Sequence, residues 1–185
     1  MRQPRPFDPG YQAYVPDAVL PRYRHVPGAT PHPHRHPAGH SFGADPGAAA
    51  KRLQADGWPR NRTYLLAADL YNLAYWWEAH EWWEALWHLE ERTAPAGLFL
   101  QGLIQIAAGF LKWHQGNARG VALLHGNGRR KLERVLRLTG AGTYMGLDVA
   151  DFLLRLEGFD QQFPVVCAAA YADPEKAPLI KLQPS

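Results

Sequence analysis

The sequence predicts an all-α fold: a compact antiparallel bundle of four to five helices with an irregular, Pro/His-rich N-terminal extension. Three observations predict it. From about residue 62 to 158 good helix formers run almost without interruption, with apolar residues at the three-to-four-residue spacing of a helical face. The breaks in this run are short turn signals, Thr93-Ala94-Pro95 and Gly116-Asn117, and short loops favour antiparallel neighbours. Residues 1–58 are rich in Pro, Gly and His and lack periodicity; proline fixes φ and removes an amide donor, so this stretch is expected to be irregular.

The chain of 185 residues is one domain's worth, long enough to bury roughly two thirds of its surface without a disulfide or metal. It divides into an extension over 1–58, a bundle over 59–160 and a tail over 161–185. Phe7, Tyr11, Tyr14, Tyr23 and Phe42 give the extension apolar side chains with which to pack on the bundle. A short helix is expected over Pro46–Ala55, with Asp45 as cap and Pro46 at its first position. The first long helix runs from Thr63 to about Glu91, and the second from Leu98 to Gln115. The third starts at Asn117 or Ala118 and reaches about Leu138; Gly126 and Gly128 in its middle each cost about 1 kcal/mol against Ala, enough for a kink or break. The fourth spans Asp148–Glu157 with Asp148 as its cap.

The single cysteine, Cys167 in the apolar run VVCAAA, cannot form an intrachain disulfide and reads as an inert buried thiol in a reducing, cytoplasmic setting. The first residues carry no apolar signal region, and the longest apolar runs are interrupted before the length of a membrane span. A formal charge of +3 does not argue for nucleic acid. Neither nucleic acid nor membrane is expected as a partner, and self-association as a homo-oligomer is left open.

The chemistry concentrates in EAHEWWEALWH, residues 78–88. On one continuous helix the stripe Leu70, Leu73, Trp77 runs into His80, Glu81, Glu84 and His88, while Glu78 and Ala85 fall on a wet sector. Ionisable groups facing a core must pair, bind a cation or take up protons. Gln101 and Gln105, four apart in FLQGLIQIAAGF, could complete a hydrogen-bond network, with Gly102 and Gly109 allowing close helix approach.

LYNLAYWWEAHEWWEALW followed by FLQGLIQIAAGFLKWHQGNARGVALL resembles an uncharacterised all-helical family, domain of unknown function family 309. The hallmark positions fall on Glu78, His80, Glu81, Glu84 and Trp87, on Gln101, Gly102, Leu103, Ile104 and Gln105, and on Gly116-Asn117; YMGLDVADFLLRLE is similar to its closing helix. The resemblance spans roughly residues 64–158 and implies a small helical bundle with no assigned activity. Ala74 stands where the family often has Gly, a departure that predicts loss of a bend, and Gly126 and Gly128 depart from a family helix that is usually better formed.

The Glu/His/Gln/Trp cluster therefore has several readings: a structural polar network, a ligand- or partner-binding pocket, or a metal or acid/base site. The leading function is a non-enzymatic scaffold or small-ligand/partner-binding module. The alternative is a metal-dependent hydrolase-like enzyme using His80, Glu81 and Glu84. A divalent metal would use His80, Glu84 and His88, which have helical ligand spacing, although neither HExxH nor ExxH is present. His114 is a further candidate on the next helix. His32, His34 and His36 alternate, so an extended backbone would point all three one way, but such a tract also reads as a solvated linker. Arg130, Arg134 and Arg137 share a face that reads as solvated, and Trp76, Trp77, Trp82, Trp83, Trp87 and Trp113 read as core.

Overall fold

The computed structural model describes residues 12–44, 50–162 and 176–183. Within them lie α1 (Arg62–Asn72), α2 (Trp76–Trp87), α3 (Pro95–His114), α4 (Ala118–Thr139), a hairpin of β1 (Thr143–Tyr144) and β2 (Leu147–Asp148), and α5 (Val149–Gln162). The chain is an all-α bundle in which α3 packs on both α2 and α4, with α1 on α2 and α5 on α4. Trp83, Tyr64, Phe99, Phe110, Phe152, Leu103 and Leu132 are fully buried where these helices meet. Each such side chain contributes about 1.5–3 kcal/mol by leaving water.

The expected first helix is two helices. Its continuous apolar pattern hides a break at Leu73-Ala74-Tyr75, where Ala74 takes φ 60°. Tyr75 N–H donates to Leu70 O (2.8 Å) and Ala74 N–H to Tyr71 O (2.9 Å), the paired bonds of a left-handed helix terminus. The bend expected to disappear with Ala74 is therefore kept. α3 ends the same way: Asn117 N–H donates to Lys112 O and Gly116, at φ 70°, to Trp113 O.

α3 reaches the length and apolar composition of a membrane-crossing helix, but 67% of its most apolar window is buried inside the bundle, as in a core helix. α4 runs unbroken through Gly126 and Gly128. Gly128 is where α4 crosses α3, since a Cβ there would sit 2.8 Å from Gly102 O and 2.7 Å from Ile106 Cγ1. The close approach expected of Gly102 is thus made to α4. Gly109 faces the ring of His125, also on α4.

Asp148 caps α5, accepting from Asp151 N–H at 3.0 Å. The hairpin before it was not expected from sequence. Met145 (φ 47°) and Gly146 (φ 79°) form its two-residue turn. The helix expected over 46–55 is absent from its described part, residues 50–55, where Leu53 N–H donates to Glu90 Oε1 (2.9 Å) instead of to the backbone. The rest of that expectation, with Asp45 and Pro46, lies outside the described residues, as do Phe7, Tyr11 and Cys167.

Candidate functional site

The buried edge of α2 is Trp76, Ala79, Trp83 and Leu86, spaced three and four apart. The break at Ala74 ends the stripe that would have carried Leu70 and Leu73 straight into the Glu/His residues. At about 100° per residue, Glu78 lies about 120° around α2 from the middle of that edge. It is nevertheless only 3% exposed. The expectation that Glu78 is wet is corrected for a simple reason: residues 19–44 cover this side of the helix.

Glu78 holds that segment in place. Its Oε1 accepts from the His25 backbone N–H (2.8 Å) and lies 2.9 Å from His40 Nε2. Glu78 Oε2 is buried with no hydrogen-bond partner. His40 Nδ1 lies 2.7 Å from Ser41 Oγ, so Ser41, His40 and Glu78 form a line of hydrogen bonds along the segment. The rings of His25, His32 and His34 pack around Trp77, with centroids 4.9, 5.4 and 5.6 Å from it. Burial pushes the His25 imidazole below its ordinary pKa, opposed by the nearby Glu78 carboxylate.

The histidine tract is not extended. His36 N–H donates to His32 O at 3.1 Å, a turn that keeps the rings of His32 and His34 together, with centroids 6.4 Å apart, and leaves His36 exposed. His34 points inward. Its Nδ1 lies 3.2 Å from Ser41 O and 3.0 Å from Ala44 O, and its Nε2 lies 3.9 Å from Glu81 Oε2.

His80, Glu81 and Glu84 bring one ligand atom each within 4.8 Å of one another. His80 Nδ1 is 3.3 Å from Glu81 Oε1 and is a buried atom without a hydrogen bond. His88 stands outside this group because α2 ends at Trp87, leaving His88 exposed with its ring against Trp87. His114 is also apart, with its ring beside Trp76.

Gln101 and Gln105 are half-buried on α3, and neither side chain hydrogen-bonds an α2 carboxylate among the described residues; Gln105 Oε1 is buried without a partner. The bonds expected from Glu81 or Glu84 to this pair are missing because Glu81 lies beside His34 and His80, and Glu84 groups with His80 and Glu81. Trp87 is half-buried, with Arg92 4.9 Å over its ring. Arg130, Arg134 and Arg137 are exposed.

Between residues 19–44 and the α1–α2 face lies a cleft of about 440 Å³. Leu20, Leu66, Leu70, Trp77 and Trp82 give it apolar walls, and Arg22, His34, His40, Glu78 and Glu81 supply polar groups. The extension was expected to pack on the bundle, but not to form one wall of the site. The aromatic and histidine content of the extension was the available signal.

These features lie in and beside a stretch of recognisable sequence. Residues 64–124 match the family model Domain of unknown function (DUF309). The DUF309 match takes in nearly all of α1, then α2, α3 and the start of α4. Glu78, His80, Glu81, Glu84, Gln101 and Gln105 all fall inside it, while His34, His40 and the closing helix α5 lie outside. Comparison with curated proteins finds no match.

Proposed function

We propose that this protein is a non-enzymatic small-ligand-binding module whose site is the cleft between residues 19–44 and the α1–α2 face. The observation that carries the reading is the cleft itself. At about 440 Å³ it falls in the size range of small-molecule sites, and it combines apolar walls with a few convergent polar groups. Glu78 and Glu81 accept hydrogen bonds, so the ligand that fits has a flat apolar body against Trp77 and Trp82 and a donor group, such as an amine, toward the acids.

The test is a screen of small aromatic amines by quenching of tryptophan emission, in buffer containing chelator. Saturable quenching that Trp82→Ala or Glu81→Gln weakens at least tenfold, and Arg130→Ala leaves alone, is the expected result. Quenching indifferent to both cleft substitutions would overturn the reading.

The second reading, a metal-dependent hydrolase using His80, Glu81 and Glu84, draws support from the convergence of those three side chains. It requires both a bound ion and turnover, and hydrolysis of an ester or phosphoester that tracks ion loading would favour it over the binding module.

A further inference from the structure

We propose that the cavity at the start of α1 binds the phosphate group of a small phosphomonoester with a polar body, such as a sugar phosphate. This cavity shares no residue with the cleft between residues 19–44 and the α1–α2 face, and it stands independently of what that cleft binds.

The cavity has a volume of about 340 Å³. Lys51, Arg52, Arg60 and Arg62 line it, and no carboxylate does among the described residues. Arg62 Nη1 and Nη2 donate to Asp17 at 3.0 and 2.9 Å. Arg52 donates from Nε to Glu90 Oε2 at 3.1 Å, which leaves both its Nη groups without a hydrogen bond among the described residues. Lys51 and Arg60 are exposed and pair with no carboxylate among the described residues. Asp17 and Glu90 thus offset half of the positive charge, and Lys51 and Arg60 offer the other half to an anion.

The local fold brings these cations to a helix N-terminus. Asn61 Oδ1 accepts from Tyr64 N–H at 3.0 Å and caps α1, while Asn61 Nδ2 donates to Lys51 O at 3.1 Å and fixes the Lys51 backbone beside the first turn. Trp58, buried with its ring edge-on to Tyr64, anchors the short turn Trp58–Arg60 that carries Arg60. The first intrahelical bond runs from Leu65 N–H to Asn61 O, so the amides of Arg62 and Thr63 have no acceptor among the described residues. Free N–H groups at the positive end of a helix favour an anion.

Thr63 supplies an independent observation. It is 8% exposed and lines the cavity, yet its hydroxyl makes no hydrogen bond among the described residues. A buried hydroxyl is ordinarily paired, and the open side here is the cavity, next to two free amides. A phosphate group has three strong acceptor oxygens set tetrahedrally, so one can take the Thr63 hydroxyl and the helix amides while the others meet Lys51 and Arg60. A planar carboxylate has only two. The volume exceeds that of a phosphate group, and Gln54 in the wall suits a hydroxylated body better than an apolar one.

Calorimetry at low ionic strength tests the site by titrating inorganic phosphate, ribose 5-phosphate and ribose into the full chain. The expected result is one saturable site per chain for both phosphates, tighter for ribose 5-phosphate, and no heat of binding from ribose. Lys51→Gln and Arg60→Gln should each weaken binding at least fivefold. Thr63→Val keeps the shape without the hydroxyl and should weaken it at least threefold, whereas Thr63→Ser should stay close to wild type. Arg130→Ala, at an exposed cation on α4, and Glu81→Gln, in the other cleft, should change nothing. Circular dichroism checks folding of each variant, and the exposed Lys51 and Arg60 provide the variants least able to disturb the bundle. Failure of either phosphate to saturate the chain at millimolar concentration overturns the site. Equal weakening by Arg130→Ala and Arg60→Gln also overturns it, because that is general charge attraction. Uptake of inorganic phosphate with ribose 5-phosphate excluded overturns the phosphomonoester assignment, as does tighter binding of a single-stranded oligonucleotide than of ribose 5-phosphate. Because Glu81→Gln weakens only the amine and Arg60→Gln only the phosphate, either site can fail while the other stands.

Discussion

Glu78 shows how much one side chain can organise. Its Oε1 takes the backbone N–H of His25 and faces His40 Nε2, in a position with almost no water. Glu78→Ala leaves the His25 N–H buried and unpaired, so it should destabilise by about 1–3 kcal/mol, whereas Glu78→Gln keeps an acceptor and should cost less. Urea unfolding of the two variants decides; equal effects would mean the negative charge, not the acceptor, matters. The same pocket has a pH consequence. Burial lowers the His25 pKa in the folded chain, so between that value and about 6.5 the unfolded chain binds more protons. The stabilisation is present above about pH 6.5 and is lost as pH falls through the folded value. The urea midpoint of the wild type should therefore drop more steeply between pH 7.5 and 5 than that of His25→Gln; parallel curves would count against it. None of this was legible in residue 78 itself. Helical phasing reports a side chain's angle to the bundle, and Glu78 is buried by a segment that the phasing does not include.

At the scale of elements, α1 and α3 end in the same hydrogen-bond motif with different residues at its left-handed position. Gly116 suits φ 70°, while Ala74 bears φ 60° with a Cβ. A left-handed non-glycine residue costs about 1–2 kcal/mol, part of which glycine returns as unfolded-state entropy. Ala74→Gly should therefore stabilise by roughly 0.5–1 kcal/mol and Gly116→Ala should destabilise by about 1 kcal/mol, both read from denaturant midpoints. The contrast explains what was legible. Gly116-Asn117 announced its turn, but Ala74 carried no such signal, and one helix was read where there are two. The hairpin at 143–148 escaped for another reason, since two-residue strands have no measurable period. α4 offers a similar paired test two residues apart. A Cβ at Gly126 meets only Arg130 Nη1, at 3.6 Å, so Gly126→Ala should gain up to about 1 kcal/mol of helix propensity. Gly128→Ala drives a methyl into Gly102 O and Ile106 and should cost about 1–3 kcal/mol. Equal shifts in melting temperature would mean that α3 and α4 can separate without loss.

Across the whole molecule, polar side chains of α1 and of the α2 region hold the irregular segments at their backbones. Asp69 accepts from the amides of Tyr14 and Val15, Glu78 from His25, and Glu90, just beyond α2, from Leu53. Periodicity made the bundle legible because helices repeat. These attachments were not legible because a carboxylate receiving an amide from 37 to 55 residues away leaves no local pattern. Asn72 makes the corresponding attachment for residues 176–183. Its Nδ2 donates to Ile180 O (2.8 Å) and its Oδ1 accepts from Ile180 N–H (2.7 Å), so one side chain replaces a strand's pair of bonds. Around it, Tyr14 Oη accepts from Leu182 N–H, Gln183 N–H donates to Gly146 O, and Arg155 donates to Leu179 O. Asn72→Ala strands the N–H of Ile180, which is fully buried, at about 1–3 kcal/mol, while the Ile180 carbonyl keeps the Tyr14 hydroxyl at 3.3 Å. The segment can avoid that cost by detaching, so the loss should appear as local opening before global unfolding. Asn72→Asp should be worse near neutral pH, since it sets a carboxylate against the Ile180 carbonyl, and should recover in acid once the carboxyl can donate. Hydrogen exchange resolves the effect by residue. The amides of Ile180 and Leu182 should lose protection in Asn72→Ala while those of α3 and α4 keep theirs; protection retained at Ile180 would show that its neighbours, not Asn72, hold the segment down.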